Sequence, residues 1–414
     1  MRRLLKISFD QALLSLTPIL SWFCLSLLID KNLISVFTIT YPLQYICGII
    51  RSPFSIGANI SKNRDKNKNA VMSGLVLGSI IAMLVYGFTI LHIDSFINFM
   101  NMDASVYHTF AIYAVIILAL QTIFTFVLDK LYYENQNNRA NRYSIIFSLL
   151  NFSILIGTAL LVRDPITIVT VTSIIMSVFT LYVFLRNCNR FRFRLNFLHC
   201  LKYDSSSLAS YFFGFLTFLF GLSNALEFGA EYGLAITFVS LITDTQWDAI
   251  KSVTILAKVN VSQKKFNCKK SLRNAYALLS ILYISSLVMF FGLCQFYPLN
   301  LPLTLVFLGF EFLDFLLCPA YYLYTSFLQL NWSATNTTVN RIIARSLRLC
   351  CSFLPTPFCN CIGSITSTLY QLATTKFFFY RNFLVDKNGR VSRRRGHRQP
   401  SLRYHYSDLP VDKD

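Results

Sequence analysis

LTLVFLGFEFLDFLLCP, residues 303–319, decides the class of fold, because only two charged residues interrupt an apolar run of transmembrane character. The two are Glu311 and Asp314, and their spacing of three places them on one face of a helix. An acid at the middle of a bilayer costs roughly 2.5–3.5 kcal/mol on insertion scales. Two acids on one helix face therefore indicate that a partner, a proton or a cation offsets their burial.

The composition of the 414-residue chain agrees with this run. Hydrophobic residues make up 54% of it, charged residues only 14%, and mean hydropathy is +0.51. Such values are typical of an integral membrane protein whose core is a helix bundle in lipid. The net charge of +19 would suggest a nucleic-acid partner in a soluble protein. Here the basic residues lie between apolar runs, so we expect contacts with the bilayer and its anionic head groups and no nucleic acid.

Apolar runs of about 20 residues recur along the whole chain, and each predicts a membrane-spanning helix. The predicted fold is therefore all-α, a polytopic membrane protein with about twelve transmembrane helices in two six-helix lobes. The predicted spans are 7–29, 33–57, 70–92, 105–128, 143–162, 165–186, 207–228, 232–256, 273–296, 301–327, 338–357 and 361–380. The eleventh is the weakest, because it carries Arg341, Arg345 and Arg348, and its true start could lie closer to residue 345.

Lysine and arginine are concentrated on alternate connections between the predicted spans. Of the 38 basic residues, all but Lys31, Arg51, Arg163 and Lys251 fall on one set of connections, at the start of the eleventh span or at the termini. Positive charge is retained on the cytoplasmic side of a membrane. We therefore predict a multi-pass protein of the plasma membrane with both termini in the cytoplasm.

A long basic connection divides the chain into two sets of six spans. The predicted organisation is an N-terminal lobe at 1–186, a cytoplasmic basic linker at 187–206, a C-terminal lobe at 207–380 and a disordered, basic cytoplasmic tail at 381–414.

A weak internal repeat relates the two halves. Shifting the sequence by 201 positions places Asp30 over Glu231, and Asn59-Ile60-Ser61 over Asn260-Val261-Ser262. Both copies begin from the cytoplasmic side, so the repeat is parallel. Such halves typically enclose a central cavity and alternate its access by rocking.

Signatures of ATP hydrolysis, hydrolytic catalysis and zinc binding are missing from the sequence. No Gly-rich phosphate loop with a following lysine occurs. The five histidines are dispersed, and the eleven cysteines lack the paired spacing of a zinc site. We therefore predict that the chain is not an enzyme and needs no cofactor. Movement of a solute remains, driven by an ion gradient or by the solute itself.

A second set of charged residues lies in the eighth predicted span. The stretch TDTQWDAIK places Asp244, Asp248 and Lys251 along one helix face. Lys251 can neutralise one acid, so a structural ion pair and an ion-coupling role both remain open. Trp247 either lines a cavity or faces lipid. Glu227, near the outer end of the seventh span, is either simply hydrated or attracts cations.

Glu311 and Asp314 have no basic residue in their own span. Burial and mutual repulsion favour the uptake of a proton or a sodium ion by this pair. Our hypothesis is that this ion competes with a cationic substrate, so that alternating access converts an ion gradient into export. A structural hydrogen bond to a neighbouring helix is the alternative. No metal is expected beyond a sodium ion at these two acids.

The order of these features resembles the multidrug and toxic compound extrusion (MATE) transporters, within the multidrug/oligosaccharidyl-lipid/polysaccharide flippase (MOP) superfamily. The resemblance extends over about residues 7–383. It is carried by Tyr41-Pro42-Leu43 in the second span, LLNFSILIGTALLV in the fifth and the spacing from Arg348 to Pro355 in the eleventh. It implies two six-helix lobes that export amphipathic, often cationic compounds in exchange for sodium or protons.

The resemblance is incomplete in the first lobe. Many members have an acid midway along the first span, where this chain has Ser21-Trp22. Many also have an aspartate four positions after the asparagine that corresponds to Asn151, where this chain has Leu155. The resemblance therefore implies that ion coupling takes place in the second lobe.

The predicted function is a monomeric, cation-coupled exporter of small amphipathic or cationic compounds. The cation-coupling candidates are Glu311, Asp314, Asp244, Asp248 and Glu227, and the candidates for lining the substrate cavity are Trp247, Asn151 and Lys251. A flippase for lipid-linked oligosaccharides from the same superfamily is the alternative, and basic residues facing the cavity would favour it. A membrane scaffold without transport activity would need no intramembrane acids.

Overall fold

A computed structural model describes residues 4–5, 8, 20–30, 33–64, 67–100, 102–134, 136–188, 196–203, 205–262, 265–295, 299–331 and 334–393. Nearly all of this part is helical, which confirms the predicted all-α membrane fold. The helices are α1 (Ile34–Arg51), α2 (Ala58–Arg64), α3 (Ala70–Leu91), α4 (Ile93–Phe99), α5 (Ala104–Tyr133), α6 (Asn137–Leu161), α7 (Pro165–Asn187), α8 (Phe197–Tyr203), α9 (Ser205–Glu227), α10 (Ala230–Ser262), α11 (Cys268–Cys294), α12 (Leu301–Asn331), α13 (Ala334–Cys351) and α14 (Cys359–Asn382). Residues 20–28 are also helical, and residues 9–19 of the first predicted span lie outside the described residues.

Seven described helices are long and apolar enough to cross a membrane, judged by length and composition. They are α3, α5, α6, α7, α9, α11 and α12. Helix α14 coincides with the last predicted span but does not meet the same measure. In α14 the reason is a polar interior face, since Asn360, Ser364, Ser367 and Gln371 are all buried. The interior of the bundle, rather than lipid, surrounds these side chains.

The helices up to residue 187, which we call the first helix group, mostly contact one another. The helices from residue 205 onward, the second helix group, do the same. Contact between the two groups is made mainly by α1 against α9 and α10. Glycines permit the approach of α1 to α9: a Cβ atom at Gly48 would lie 2.3 Å from the ring of Tyr211, and one at Gly214 would lie 2.5 Å from the ring of Tyr45. The rings of Tyr45 and Phe218 stack at 5.3 Å across the same contact. We call this contact the α1–α9 interface.

The second predicted span is not a regular α-helix to its end. After α1, residues Ser52–Gly57 form a π-helical segment, and Pro53 is its second residue. The linker helix α8 packs on this segment, with Phe197 stacked on Phe54 at 5.3 Å. Gly57 is required there, because a Cβ atom would lie 2.3 Å from the backbone oxygen of Cys200. The predicted linker at 187–206 thus contains a docked helix, while residues 189–195 lie outside the described residues.

The start of the C-terminal tail is ordered, which makes the prediction of disorder from residue 381 wrong for residues 383–393. Strands β1 (Phe383–Val385) and β2 (Val391–Arg393) form an antiparallel hairpin after α14. The turn contains Gly389 with φ +80°, and its carbonyl oxygen accepts the backbone N–H of Cys268 at 2.9 Å. The apolar side chain of Phe383 is buried against the second helix group, which offsets the entropy of ordering the hairpin. Residues 394–414 lie outside the described residues.

Candidate functional site

The two acids of the opening stretch lie in the first half of α12, a helix that packs against α10, α11, α13 and α14. Glu311 lies about 15 Å along the axis from the start of the helix. Its Oε2 atom accepts a hydrogen bond from the indole Nε1 of Trp247 on α10, at 2.9 Å. The Trp247 ring also packs on Phe315, one turn further along α12, with 4.5 Å between ring centroids. The acid on α12 and the tryptophan on α10 are therefore held in one arrangement.

Asp314 is the most deeply buried acid among the described residues, with 0% of its surface exposed. Its Oδ2 atom accepts a hydrogen bond from the hydroxyl of Ser364 on α14, at 2.5 Å. Its Oδ1 atom has no hydrogen-bond partner among the described residues. A buried carboxylate oxygen without a partner is costly. The arrangement can therefore accept a proton or a small cation at Oδ1.

Arginines of α13 act on the part of α12 that holds the two acids, which the sequence of α12 alone does not show. Arg348 acts electrostatically on Glu311, and both Arg345 and Arg348 act on Cys318, one turn after Asp314. The signal was present in the sequence, because Arg341, Arg345 and Arg348 recur at helical spacing.

The contacts of Arg348 are not with carboxylates. Its Nη2 atom donates to Oδ1 of Asn360 at 3.2 Å, and its Cζ atom lies 5.2 Å from the centroid of the Phe218 ring on α9. Its Nε atom is buried and has no hydrogen-bond partner among the described residues. Glu311, Asp314, Trp247, Ser364, Arg348 and Asn360 thus bring four helices together, and we call this set the acid–arginine cluster.

The structure does not bring every candidate to this cluster. The backbone of Asp244, Asp248 and Lys251 belongs to α10, but their side chains lie outside the described part of the structure. Glu227 is exposed at the last position of α9, and no described contact joins it to α12.

Asn151 lies inside the first helix group, whereas the acid–arginine cluster belongs to the second. It is buried and accepts a hydrogen bond from the hydroxyl of Tyr113 at 3.0 Å. Trp22 packs edge-on against Tyr113 and Phe110. Asn151 therefore has a hydrogen-bond partner within the protein, in a surrounding that is largely aromatic.

An ion pair in the first helix group was not predicted. Asp129 directly follows the fourth predicted span, which ends at residue 128, yet only 4% of its surface is exposed. Its carboxylate accepts two hydrogen bonds from Arg51, at 2.6 and 2.7 Å, and a third from Ser55 at 2.6 Å. The group therefore joins the π-helical segment to α5. Because Arg51 is paired inside the protein, it does not need to extend to the head groups.

Comparisons with known proteins address the fold. No protein-family model and no curated relative matches the sequence. Solved structures do match. An inward-facing multidrug resistance MATE family transporter of the MOP superfamily aligns with TM-score 0.62 and 14% identity, covering 88% of this chain and 94% of that one. An outward-facing MATE family transporter aligns with TM-score 0.59 and 16% identity, covering 91% and 94%.

A third similar structure is a MOP superfamily transporter from Pyrococcus furiosus, whose reverse polarity of the binding pocket is described as suggesting a different function. It aligns with TM-score 0.63 and 14% identity, covering 91% of this chain and 95% of that one. At such low identity the likeness establishes the fold. The chain has the fold of the MATE family transporters of the MOP superfamily.

Proposed function

We propose that this chain is a secondary active transporter that exports small amphipathic or cationic compounds by alternating access, coupled to the inward movement of sodium ions or protons. Solved transporters with the same fold occur in inward-facing and outward-facing conformations. The single observation that supports ion coupling most directly is Asp314, a fully buried acid whose Oδ1 atom has no hydrogen-bond partner among the described residues.

The chemistry of the site suits a small cation. Asp314 and Glu311 supply carboxylate oxygens, and Ser364 supplies a hydroxyl. Hard cations prefer oxygen ligands of this kind. A proton suits the site equally, because two neighbouring buried acids favour retention of at least one proton. Release of the ion would leave a negative site for a cationic substrate, so ion and substrate would compete.

The orientation in the membrane follows from the basic connections. We propose that they and both termini face the cytoplasm, that the chain lies in the plasma membrane as a monomer, and that exposed basic side chains meet anionic head groups. Lys265, Lys270 and Arg273 at the start of α11, together with Lys387 and Arg390 of the hairpin, are exposed and suit this contact.

The test is ethidium efflux from proteoliposomes with an imposed sodium or proton gradient. We expect Glu311→Gln and Asp314→Asn each to abolish the gradient-driven part of efflux, because each removes a charge that would hold the ion. Asp94→Asn is the matched control, since this acid is largely exposed and pairs with His108. Gradient-driven efflux that persists in both α12 variants would refute the coupling role.

A second candidate function is a flippase for lipid-linked oligosaccharides. The observation that favours it is Arg348, whose charge acts on Glu311, since guanidinium groups suit a diphosphate linkage. The similarity to a transporter with reversed pocket polarity agrees with it. Its test is translocation of a fluorescent polyprenyl-diphosphate sugar in the same proteoliposomes. Translocation of that lipid without any ethidium efflux would select this function.

A further inference from the structure

We propose that Arg348 is a tethered cation that competes with the coupling ion for Glu311 and Asp314, and that its displacement acts on the α1–α9 interface through Phe218. The proposal rests on the proposed coupling role of the two acids. It assigns a role to Arg348, which is not itself a ligand of the ion. Arg348 would link occupancy of the ion site at Glu311 and Asp314 to the contact between the two helix groups.

The charge balance of the acid–arginine cluster supports competition. Arg348 is positively charged and acts on Glu311. The hydrogen-bond partners of Arg348 and Asp314, which are Asn360 and Ser364, lie one turn apart on α14. A sodium ion held by these acids would place a second positive charge beside the guanidinium of Arg348. Like charges repel strongly where water is excluded. Entry of the ion and approach of Arg348 to the acids consequently oppose each other.

The present position of Arg348 is one from which it can move. Its guanidinium holds neither acid in an ion pair among the described residues, although its charge acts on Glu311. It is held instead by one hydrogen bond to Asn360 and by the face of Phe218. A single hydrogen bond to a neutral amide and a cation–π contact are weaker than a bidentate pair with a carboxylate. The buried Nε atom has no partner, so a bidentate contact with a carboxylate would satisfy it.

Phe218 connects this position to the other helix group. Its ring contacts Arg348 on one side and stacks on Tyr45 of α1 at 5.3 Å. Gly214, one turn before Phe218, allows the Tyr45 ring to approach α9 closely. A change in the contact of Arg348 with Phe218 therefore acts on the side chains that form the α1–α9 interface. A chain of contacts alone does not establish coupling, which must be measured.

Fluorescence of Trp247 tests whether Arg348 competes with the coupling ion, because the Trp247 indole donates a hydrogen bond to Glu311. In a Trp22→Phe, Trp332→Phe background, the full chain in nanodiscs is titrated with sodium chloride, with choline chloride holding the ionic strength constant. We expect Arg348→Gln to bind sodium about tenfold more tightly, since the competing charge is gone. Arg348→Lys retains the charge and should bind like the parent. Arg341→Gln, two turns away, removes an arginine charge and should change the affinity less than twofold.

Hydrogen–deuterium exchange tests whether displacement of Arg348 acts on the α1–α9 interface. In the parent, saturating sodium should change exchange in peptides covering 43–50 and 211–218, which form the α1–α9 interface. Arg348→Gln should bind sodium without that change. Arg348→Lys should show a reduced change, because lysine cannot reproduce the planar contacts with Phe218 and Asn360. If Arg348→Gln does not fold, the lysine variant still tests the exchange response.

The outcomes separate the inference from the function on which it rests. If neither sodium nor pH produces a Trp247 response that Glu311→Gln removes, the proposed ion coupling fails, and the inference with it. If the response depends on Glu311 but the arginine variants match the parent in both affinity and exchange, only the inference is overturned.

Discussion

The indole N–H of Trp247 donates a hydrogen bond to Glu311 over 2.9 Å, and this contact joins α10 to α12 in the interior of the second helix group. The two residues are 64 positions apart in the sequence. Trp247 was a candidate for lining a cavity and Glu311 a candidate for ion coupling. The structure makes them partners, so the ionisation of the acid and the position of the tryptophan depend on each other.

Replacement of Trp247 by phenylalanine tests this dependence. Phenylalanine retains a ring against Phe315 but removes the donor to Glu311. A hydrogen bond to a charged group contributes about 1.5–3 kcal/mol. We therefore expect the ionised form of Glu311 to be disfavoured and the sodium concentration for half-maximal efflux to rise about tenfold or more. Trp22→Phe, in the first helix group, should leave the sodium dependence unchanged. Equal behaviour of the two variants would show that the donor has no part in coupling.

The ion pair between Arg51 and Asp129 gives a prediction about stability. Removing one partner of a buried pair costs roughly 3–5 kcal/mol. We expect a smaller loss than that range for Asp129→Asn, because 36% of the Arg51 side chain is exposed and solvent screens its charge. The double variant Arg51→Met, Asp129→Leu should recover much of the loss, since it leaves no unpaired charge. Thermal unfolding in detergent measures both. A double variant no more stable than the single one would contradict this account.

Gly57 gives a prediction about the linker helix. A Cβ atom there would lie 2.3 Å from the backbone oxygen of Cys200, so Gly57→Ala must displace α8 from the π-helical segment. We expect faster hydrogen–deuterium exchange in residues 197–203 and a lower melting temperature. Gly87→Ala is the matched control, because an added Cβ atom there meets no other atom within 4 Å. Unchanged exchange in residues 197–203 of Gly57→Ala would exclude this docking.

The hairpin after α14 gives a prediction about the start of α11, against which its turn lies. Gly389 has φ +80°, and a Cβ atom there would lie 2.5 Å from Oδ1 of Asn267. Gly389→Ala should therefore open the hairpin and expose the amide of Cys268, whose N–H bonds to the Gly389 carbonyl oxygen. Faster exchange at the start of α11 is the expected result. Gly292→Ala, at a position with open space, is the control.

Local patterns were sufficient to predict the helices. Each apolar run of about 20 residues satisfies its own backbone hydrogen bonds only as a helix, so the bounds of α3, α7 and α14 agree with the predicted spans within about two residues. The hairpin was missed because each of its strands has only three residues. Such short strands hold too few apolar positions to show the alternation that predicts a strand. The helix α8 was missed because a stretch rich in arginine masked its short apolar face.

The sequence by itself determined that Glu311 and Asp314 share one helix face in an apolar surrounding, because that statement needs only the helical period. Only the tertiary structure decided what surrounds them. Packing of α10, α13 and α14 on α12 brings a tryptophan donor and the charge of Arg348 to Glu311, and a serine to Asp314. Contacts between helices depend on crossing geometry and close glycine approaches, and these are set by all the side chains of the bundle together.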